Sequence, residues 1–325
     1  MPIFAQVTNK YKSLSIKTYC SHTLTRIVAL LAVAVVLLAA CAKQSGDTRT
    51  KPFVVATTGM IADAALVVGG ELIEVKGLMG PGVDPHLYKA TQGDLRAFEQ
   101  ANLILYNGLH LEGKLNDVLG KMKGKAVAVT QNVPEGLLVA PPAFSGNFDP
   151  HIWFDAELWQ YAVVEVRDAL IAMAPENKAS FEKNAEDYLA EIDSLHQWIA
   201  AEIEAIPEQR RILITAHDAF GYFGIAYGIE VTGLQGISTV SEFGIKDVSN
   251  MVDLIIKMQI PAIFVESSVP KRSIEAIVQG CLAKGHQVVI GGELFSDAMG
   301  EAGTPEGTYL GMVRHNVSTI AKALK

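Results

Sequence analysis

Short β-rich runs alternating with helical patterns constrain this chain more than any other feature of its sequence. In the first half the candidate strands are Phe53 to Thr57, Ile73 to Met79, Leu103 to Tyr106 and Ala126 to Val129. In the second half they are Ile212 to Thr215, Glu230 to Leu234, Ala262 to Glu266 and Gln287 to Ile290. A helical crossover between successive strands lets them run parallel, as βαβ units require. The spacing therefore predicts an α/β protein of two lobes, 52–174 and 207–325, each with a four-stranded, mainly parallel sheet flanked by helices. Half of the residues are hydrophobic and 19% are charged, enough apolar material for a sizeable core.

Between the two sets of strands lies one long helical stretch, 175–206. Phe181, Ala185, Tyr188, Ile192, Leu195, Ile199 and Ile203 recur at three- and four-residue steps, while Glu182, Glu186, Asp187, Glu191 and Glu202 cover the other faces. Pro207 closes it. A helix of about 30 residues extends roughly 45 Å, long enough to run the height of both lobes. Such a strut, unlike a loop hinge, permits limited lobe rotation. Helix starts are expected at the Thr91/Asp94 pair, at Asp155, and at Thr304-Pro305-Glu306.

The first 40 residues stand apart. They carry Lys10, Lys12, Lys17 and Arg26, no acidic residue, and the apolar run Ile27 to Ala40. That run falls short of the roughly 20 residues a membrane-spanning helix needs and matches a secretory signal instead. It ends in Leu38-Ala39-Ala40-Cys41, like the lipobox of bacterial lipoproteins, in which the cysteine is acylated. An uncleaved anchor is the plainer alternative; charge, length and cleavage pattern together favour the lipoprotein. Residues 41–51 then form a polar tether. The chain has 27 basic and 35 acidic residues, and loss of the leader's four basic ones leaves 23 against 35. That acidic balance disfavours nucleic acid and suits cations. Beyond Cys41 only Cys281 remains, so no internal disulfide is expected, and Cys281 reads as a buried small hydrophobe.

The tripeptide Asp-Pro-His occurs twice, at Asp84-Pro85-His86 and Asp149-Pro150-His151. The residue before a proline is forced out of the helical region, so each turn delivers its histidine from a stiff approach. Histidine is the commonest metal-ligating side chain. His217 follows the aliphatic run Ile212-Leu213-Ile214-Thr215 and so stands at the carboxyl end of a strand, where open α/β sheets bind ligands. His86, His151 and His217 are therefore the metal-ligand candidates. Alone, any one of them would more often be a capped loop or core histidine. His196 borders the stripe of the long helix, His286 and His315 read as surface residues, and His110 stays a weaker candidate. Three neutral imidazoles are best completed by an anion. Asp297, beyond the glycine-softened turn Gly291-Gly292, fits, with Glu293 and Glu266 as rivals on spacing alone.

At this point the chain resembles the TroA-like family of metal-binding lipoproteins, the extracytoplasmic receptors of zinc and manganese ABC importers. The resemblance covers essentially the whole mature sequence. It rests on Thr57-Thr58-Gly59-Met60-Ile61-Ala62-Asp63, the two Asp-Pro-His turns with Leu87-Tyr88 and Ile152-Trp153, Asn107-Gly108 with Leu111-Glu112, His217 to Phe223, Leu234-Gln235-Gly236 and Ser238-Thr239. The resemblance places the family's ligands on His86, His151, His217 and Asp297. It further implies zinc or manganese as cargo, with Fe²⁺ also able to occupy such a set, because the third ligand is His and the histidine-rich loop of dedicated zinc receptors is missing from 139–147.

The expected function is capture of a divalent ion outside the cytoplasm by a monomer anchored at Cys41, with delivery to an ABC-transporter membrane permease and no catalysis. Asp155 and Asp218 are candidates for fixing the imidazole tautomers. Two alternatives remain. A metal-dependent hydrolase would need an open coordination position and a general base; a surface adhesin would use the ion structurally.

Overall fold

The expected strands form and pair in parallel, but the four of the second lobe make two separate two-stranded pairs and not the single four-stranded sheet expected. The structure, a computed structural model, describes residues 49–325 other than Lys123 and Ser145; the signal-like leader, Cys41 and most of the tether lie outside the described residues. In the first lobe β1 (Phe53–Ala56) leads through α1 (Gly59–Gly69) to β2 (Glu74–Gly77), then α2 (Gln92–Gln100), β3 (Leu103–Tyr106), α3 (Asn116–Leu119) and β4 (Ala126–Ala128). The sheet order is β2-β1-β3-β4. Val54, Val55 and Ala56 of the central strand are all buried, so β1 reads as a continuous apolar run and not as an alternating one. Thr91 and Asp94 make the expected capping box of α2: Asp94 N donates to Thr91 Oγ1 at 3.2 Å and Thr91 N to Asp94 Oδ2 at 2.9 Å.

Two helices follow, α4 (Ala156–Met173), capped by Asp155 as expected, and α5 (Lys178–Glu204). The long helix starts at Lys178, later than the sequence suggests, because Pro175–Asn177 winds as a single tighter turn ahead of it. Its 27 residues span about 40 Å. Every member of the predicted stripe, Phe181 through Ile203, is buried. Burying each large aliphatic there is worth roughly 1.5–3 kcal/mol. On the first-lobe side Tyr188 Oη donates to Asp63 Oδ2 at 3.1 Å and Asn184 Nδ2 to the Val68 carbonyl at 3.0 Å. Towards its other end His196 meets Tyr227 Oη at 3.2 Å and Glu202 pairs with Lys325.

The second lobe runs β5 (Ile212–His217), α6 (Gly221–Tyr227), β6 (Glu230–Gln235), α7 (Ile245–Met258), β7 (Ala262–Glu266), α8 (Arg272–Ala283), β8 (Val289–Leu294) and α9 (Tyr309–Leu324). Its strands pair as β5-β6 and β7-β8, with β5 and β7 side by side but not joined in one continuous ladder. At the carboxyl ends of β5 and β7 a side chain bridges the gap: Glu266 Oε1 accepts the His217 backbone N–H at 2.8 Å.

Two boundaries differ from expectation. The strand expected at Gln287 to Ile290 starts at Val289 and continues through Gly291-Gly292, where an irregularity in register opposite Ile263/Phe264 replaces the expected turn. Those glycines are needed because α9 lies almost on the strand: a Cβ on Gly292, at φ +155°, would meet Thr319 Cγ2 at 2.4 Å. The last helix begins at Tyr309 under a Thr308 cap, Pro305–Gly307 forming a separate short turn before it. One apolar core runs from β1 and α1 through α4 and α5 to α9, so the lobes share packing. Tyr309 reinforces this by donating its N–H to Asp63 and its hydroxyl to the Trp153 carbonyl. Among the described residues no helix is long and apolar enough to cross a membrane.

Candidate metal centre

The two Asp-Pro-His turns fold alike. Asp84 Oδ1 accepts the His86 backbone N–H at 2.8 Å, and Asp149 Oδ1 accepts that of His151 at 2.9 Å. Each aspartate thus closes its own turn on the amide two residues on, and the proline supplies the stiffness. His217 is the last residue of β5, and Asp297 lies three residues beyond β8. The four side chains converge between the lobes, with ligating atoms all within 4.8 Å of one another. They are shut off from solvent: His151 and His217 are 0% exposed, Asp297 2% and His86 3%.

The separations suit a metal ion. His86 Nε2 lies 3.3 Å from His151 Nε2 and 3.6 Å from Asp297 Oδ2; His151 Nε2 is 3.4 Å from Asp297 Oδ1, and His217 Nε2 3.3 Å from Oδ2. Tetrahedral ligands about 2.1 Å from a central ion stand about 3.4 Å apart. The imidazoles are splayed, at 58°, 67° and 82° to one another, so that each presents an edge and none stacks. Both carboxylate oxygens of Asp297 and Nε2 of His217 are buried with no hydrogen-bond partner. Buried polar atoms seldom go unsatisfied, and a cation at the centre would satisfy all three.

Two carboxylates fix the rings, but they are not the pair expected. Asp149 Oδ1 is 2.7 Å from Nδ1 of His151, and Glu266 Oε2 bonds Nδ1 of His217. With Nδ1–H donated outward, Nε2 is left to point inward. Asp155 instead caps α4, and Asp218 acts on the two rings only as a nearby charge, Nδ1 of each being taken by Asp149 or Glu266. Electrostatics follow from these partners. Burial pushes His86 down to about 3. Burial also opposes charge on His151, yet the Asp149 and Asp297 carboxylates outweigh it and lift the ring to about 9. For His217, burial is likewise overcome, by Glu266 and Asp297, and the ring is held well above the usual imidazole range. Asp297 is buried too, but His217 and His151 hold it well below the ordinary carboxylate range.

The rivals resolve by position. Glu266 is drawn to the far side of His217, Glu293 pairs with Lys271, and His110 is exposed, away from the cluster. His286 and His315 lie at the surface but are half-buried, each bonded to a carbonyl, that of Ile260 and of Glu293 respectively. Cys281 is buried as expected. A second group, Asp155, Glu157 and His196, also lies within 4.8 Å, but its members are partly or fully exposed and Asp155 is occupied as a helix cap. Glu112 was singled out in sequence only as part of a resembling stretch, and its role was missed. Fully buried, it accepts from Thr57 Oγ1 at 2.7 Å and from the Asn107 and Gly108 amides at 2.6 and 3.2 Å; Asn107 Nδ2 in turn donates to the Pro150 carbonyl at 3.0 Å, bracing the second His turn. Trp153 also braces this turn, its ring lying edge-on to His151 with centroids 5.2 Å apart and its Nε1–H donated to the Ser296 carbonyl at 3.0 Å, beside Asp297.

Comparison with known proteins agrees with this geometry. The sequence model of the family described as ZnuA, zinc-uptake complex component A, periplasmic, matches residues 54–323. The chain is 52% identical over 287 residues to the manganese-binding lipoprotein MntA of Bacillus subtilis, covering 87% of this chain and 92% of that one. It is 49% identical over 276 residues to the zinc-binding protein TroA of Treponema pallidum, covering 84% and 89%. The solved structure of that periplasmic zinc-binding protein superposes with a TM-score of 0.83 over 84% of this chain and 99% of that one, at 48% identity.

Proposed function

The chain belongs to the ZnuA family of periplasmic zinc-uptake components, and from that premise we propose that it is an extracytoplasmic receptor that captures Zn²⁺ or Mn²⁺ and delivers it to the membrane permease of an ABC importer. The ion is held by Nε2 of His86, His151 and His217 and by the carboxylate of Asp297. One observation carries this reading: four fully buried donors converge at metal-ligand spacing, with the Asp297 oxygens satisfied by no other group. Anchorage at Cys41 and a monomeric state belong to the same proposal. Three nitrogens with one oxygen suit zinc and also accommodate manganese, and similarity of about equal strength to a manganese-binding and a zinc-binding relative supports keeping both. Fe²⁺ fits the same donor set.

Carriage is favoured over hydrolysis by the roles of the neighbouring acids. Asp149 and Glu266 are both engaged with imidazole Nδ1, which leaves neither as a ready general base. An adhesive role has no feature of the site to support it. The test is elemental analysis of protein purified from cells grown in balanced zinc, manganese and iron. One equivalent of a single ion class is expected for the wild type and far less for His86→Ala and His151→Ala; a full equivalent in both variants would end the assignment. Hydrolytic activity lost in Asp297→Ala would restore the enzyme reading.

A further inference from the structure

We propose, resting on the receptor reading above, that Thr239 is a positioning residue whose hydroxyl latches the His86 turn to the second lobe and sets how slowly a bound ion leaves. The three imidazoles are not held alike. His151 and His217 each place Nδ1 on a carboxylate of their own lobe, Asp149 and Glu266. The His86 turn is gripped through its backbone instead. Asp84 accepts the His86 amide on Oδ1 at 2.8 Å, and its other oxygen, Oδ2, accepts the hydroxyl of Thr239, 155 residues further on, at 2.6 Å. Thr239 is buried.

The loop that carries Thr239 is tied to the second lobe's half of the site. Gln235 pairs with His217 in the β5-β6 register, and its carbonyl accepts the Asp218 N–H at 3.0 Å. The Gln235 side-chain amide donates to the carbonyls of Thr239 and Ser241, each at 2.6 Å. A run of bonds therefore passes from the Asp218 amide, next to His217, through Gln235 and Thr239 to Asp84 and His86, crossing between lobes. The hydroxyl–carboxylate bond is charge-assisted and stronger than a neutral one. Breaking it frees the His86 turn to move with the first lobe while leaving all four donors and both carboxylate–imidazole pairs in place. The latch thus couples separation of the lobes to withdrawal of one ligand.

The test compares Thr239→Val, which keeps the shape and removes the hydroxyl, with Thr239→Ser, which keeps the hydroxyl. Zn²⁺ and Mn²⁺ dissociation into excess chelator is followed by stopped flow, alongside metal stoichiometry and the Tm of the metal-free proteins. Removing a partner that supports a ligand costs about 10–100-fold in metal affinity. Thr239→Val is accordingly expected to retain one equivalent but release it about tenfold faster, with Thr239→Ser close to wild type. Thr239→Ala should match Thr239→Val and replaces it if valine impairs folding. In a His86→Ala background, calorimetry should find no further loss of affinity from Thr239→Val. An unchanged release rate, a serine variant as fast as the valine one, or an equal loss in the His86→Ala background overturns the latch. Failure of the wild type to hold one equivalent of either ion overturns the receptor reading instead.

Discussion

Asp149 and Glu266 decide which nitrogen each ring offers to the centre, and that choice has measurable consequences for protons. In the metal-free protein the neighbouring carboxylates lift His151 to about 9 and hold His217 well above the ordinary imidazole range, which favours the charged form of each ring. Their raised values stabilise the metal-free fold below the unfolded pKa of about 6.5, and that contribution fades as pH rises through the folded values. Metal ligation needs the opposite, neutral rings, so ions and protons compete. His86, down at about 3, and Asp297, already ionised, have no proton to give. Calorimetry at pH 7.5 in buffers of differing protonation heat should therefore find net proton release on ion binding, with affinity rising from pH 6 to 9. Release of none would contradict the assignment. Asp149→Asn keeps the shape but loses the anionic acceptor, and is expected to weaken binding about 10–100-fold in a competition assay without removing a ligand. Three of the four candidate donors stand out in sequence, His86 and His151 in their Asp-Pro-His turns and His217 at the end of an aliphatic strand, whereas Asp297 was set apart from Glu293 and Glu266 only by the family resemblance. Their supports were less legible. Asp149 lies in its own motif, but Glu266 reaches His217 across 49 residues and Trp153 reaches Ser296 across 143, distances that no local pattern encodes.

At the scale of elements, the long helix and the last strand mark the two extremes of legibility. The stripe from Phe181 to Ile203 was readable because a 3.6-residue period needs no tertiary context, and only its first turn was misplaced. Gly291-Gly292 read as a turn, since two glycines usually mark one. Their actual cause is the close approach of α9 to β8, visible only once both are folded. Gly292→Ala would drive a methyl against Thr319 Cγ2, and overpacking of this kind costs about 1–3 kcal/mol. Because β8 leads directly to Asp297, the variant should lose metal affinity together with thermal stability, a pairing that calorimetric unfolding with and without Zn²⁺ would detect. Loss of stability with affinity intact would mean that β8 does not position Asp297.

For the whole molecule, the shared core and the α5 strut imply that ligand capture tightens an assembly already largely formed. The lobes meet through Tyr309, Trp153 and Asp63 as well as through the site itself. Binding that favours only the folded state stabilises it by about 4 kcal/mol at a ligand concentration a thousandfold above Kd. The Tm of the wild type should therefore climb with added Zn²⁺ or Mn²⁺, and that of Asp297→Ala should scarcely move. Two lobes, their parallel strands and the strut were all expected from sequence. The division of the second sheet into two pairs was not, because strand pairing between β5 and β7 is a tertiary matter that local pattern does not encode.

The central claim is that one divalent ion sits among His86, His151, His217 and Asp297. Anomalous diffraction at the zinc or manganese absorption edge, from crystals of the loaded protein, tests it most directly. The account predicts one strong peak about 2.0–2.2 Å from the three Nε2 atoms and from an Asp297 oxygen. A peak at Asp155, Glu157 and His196 instead, with none among the four buried donors, would contradict it.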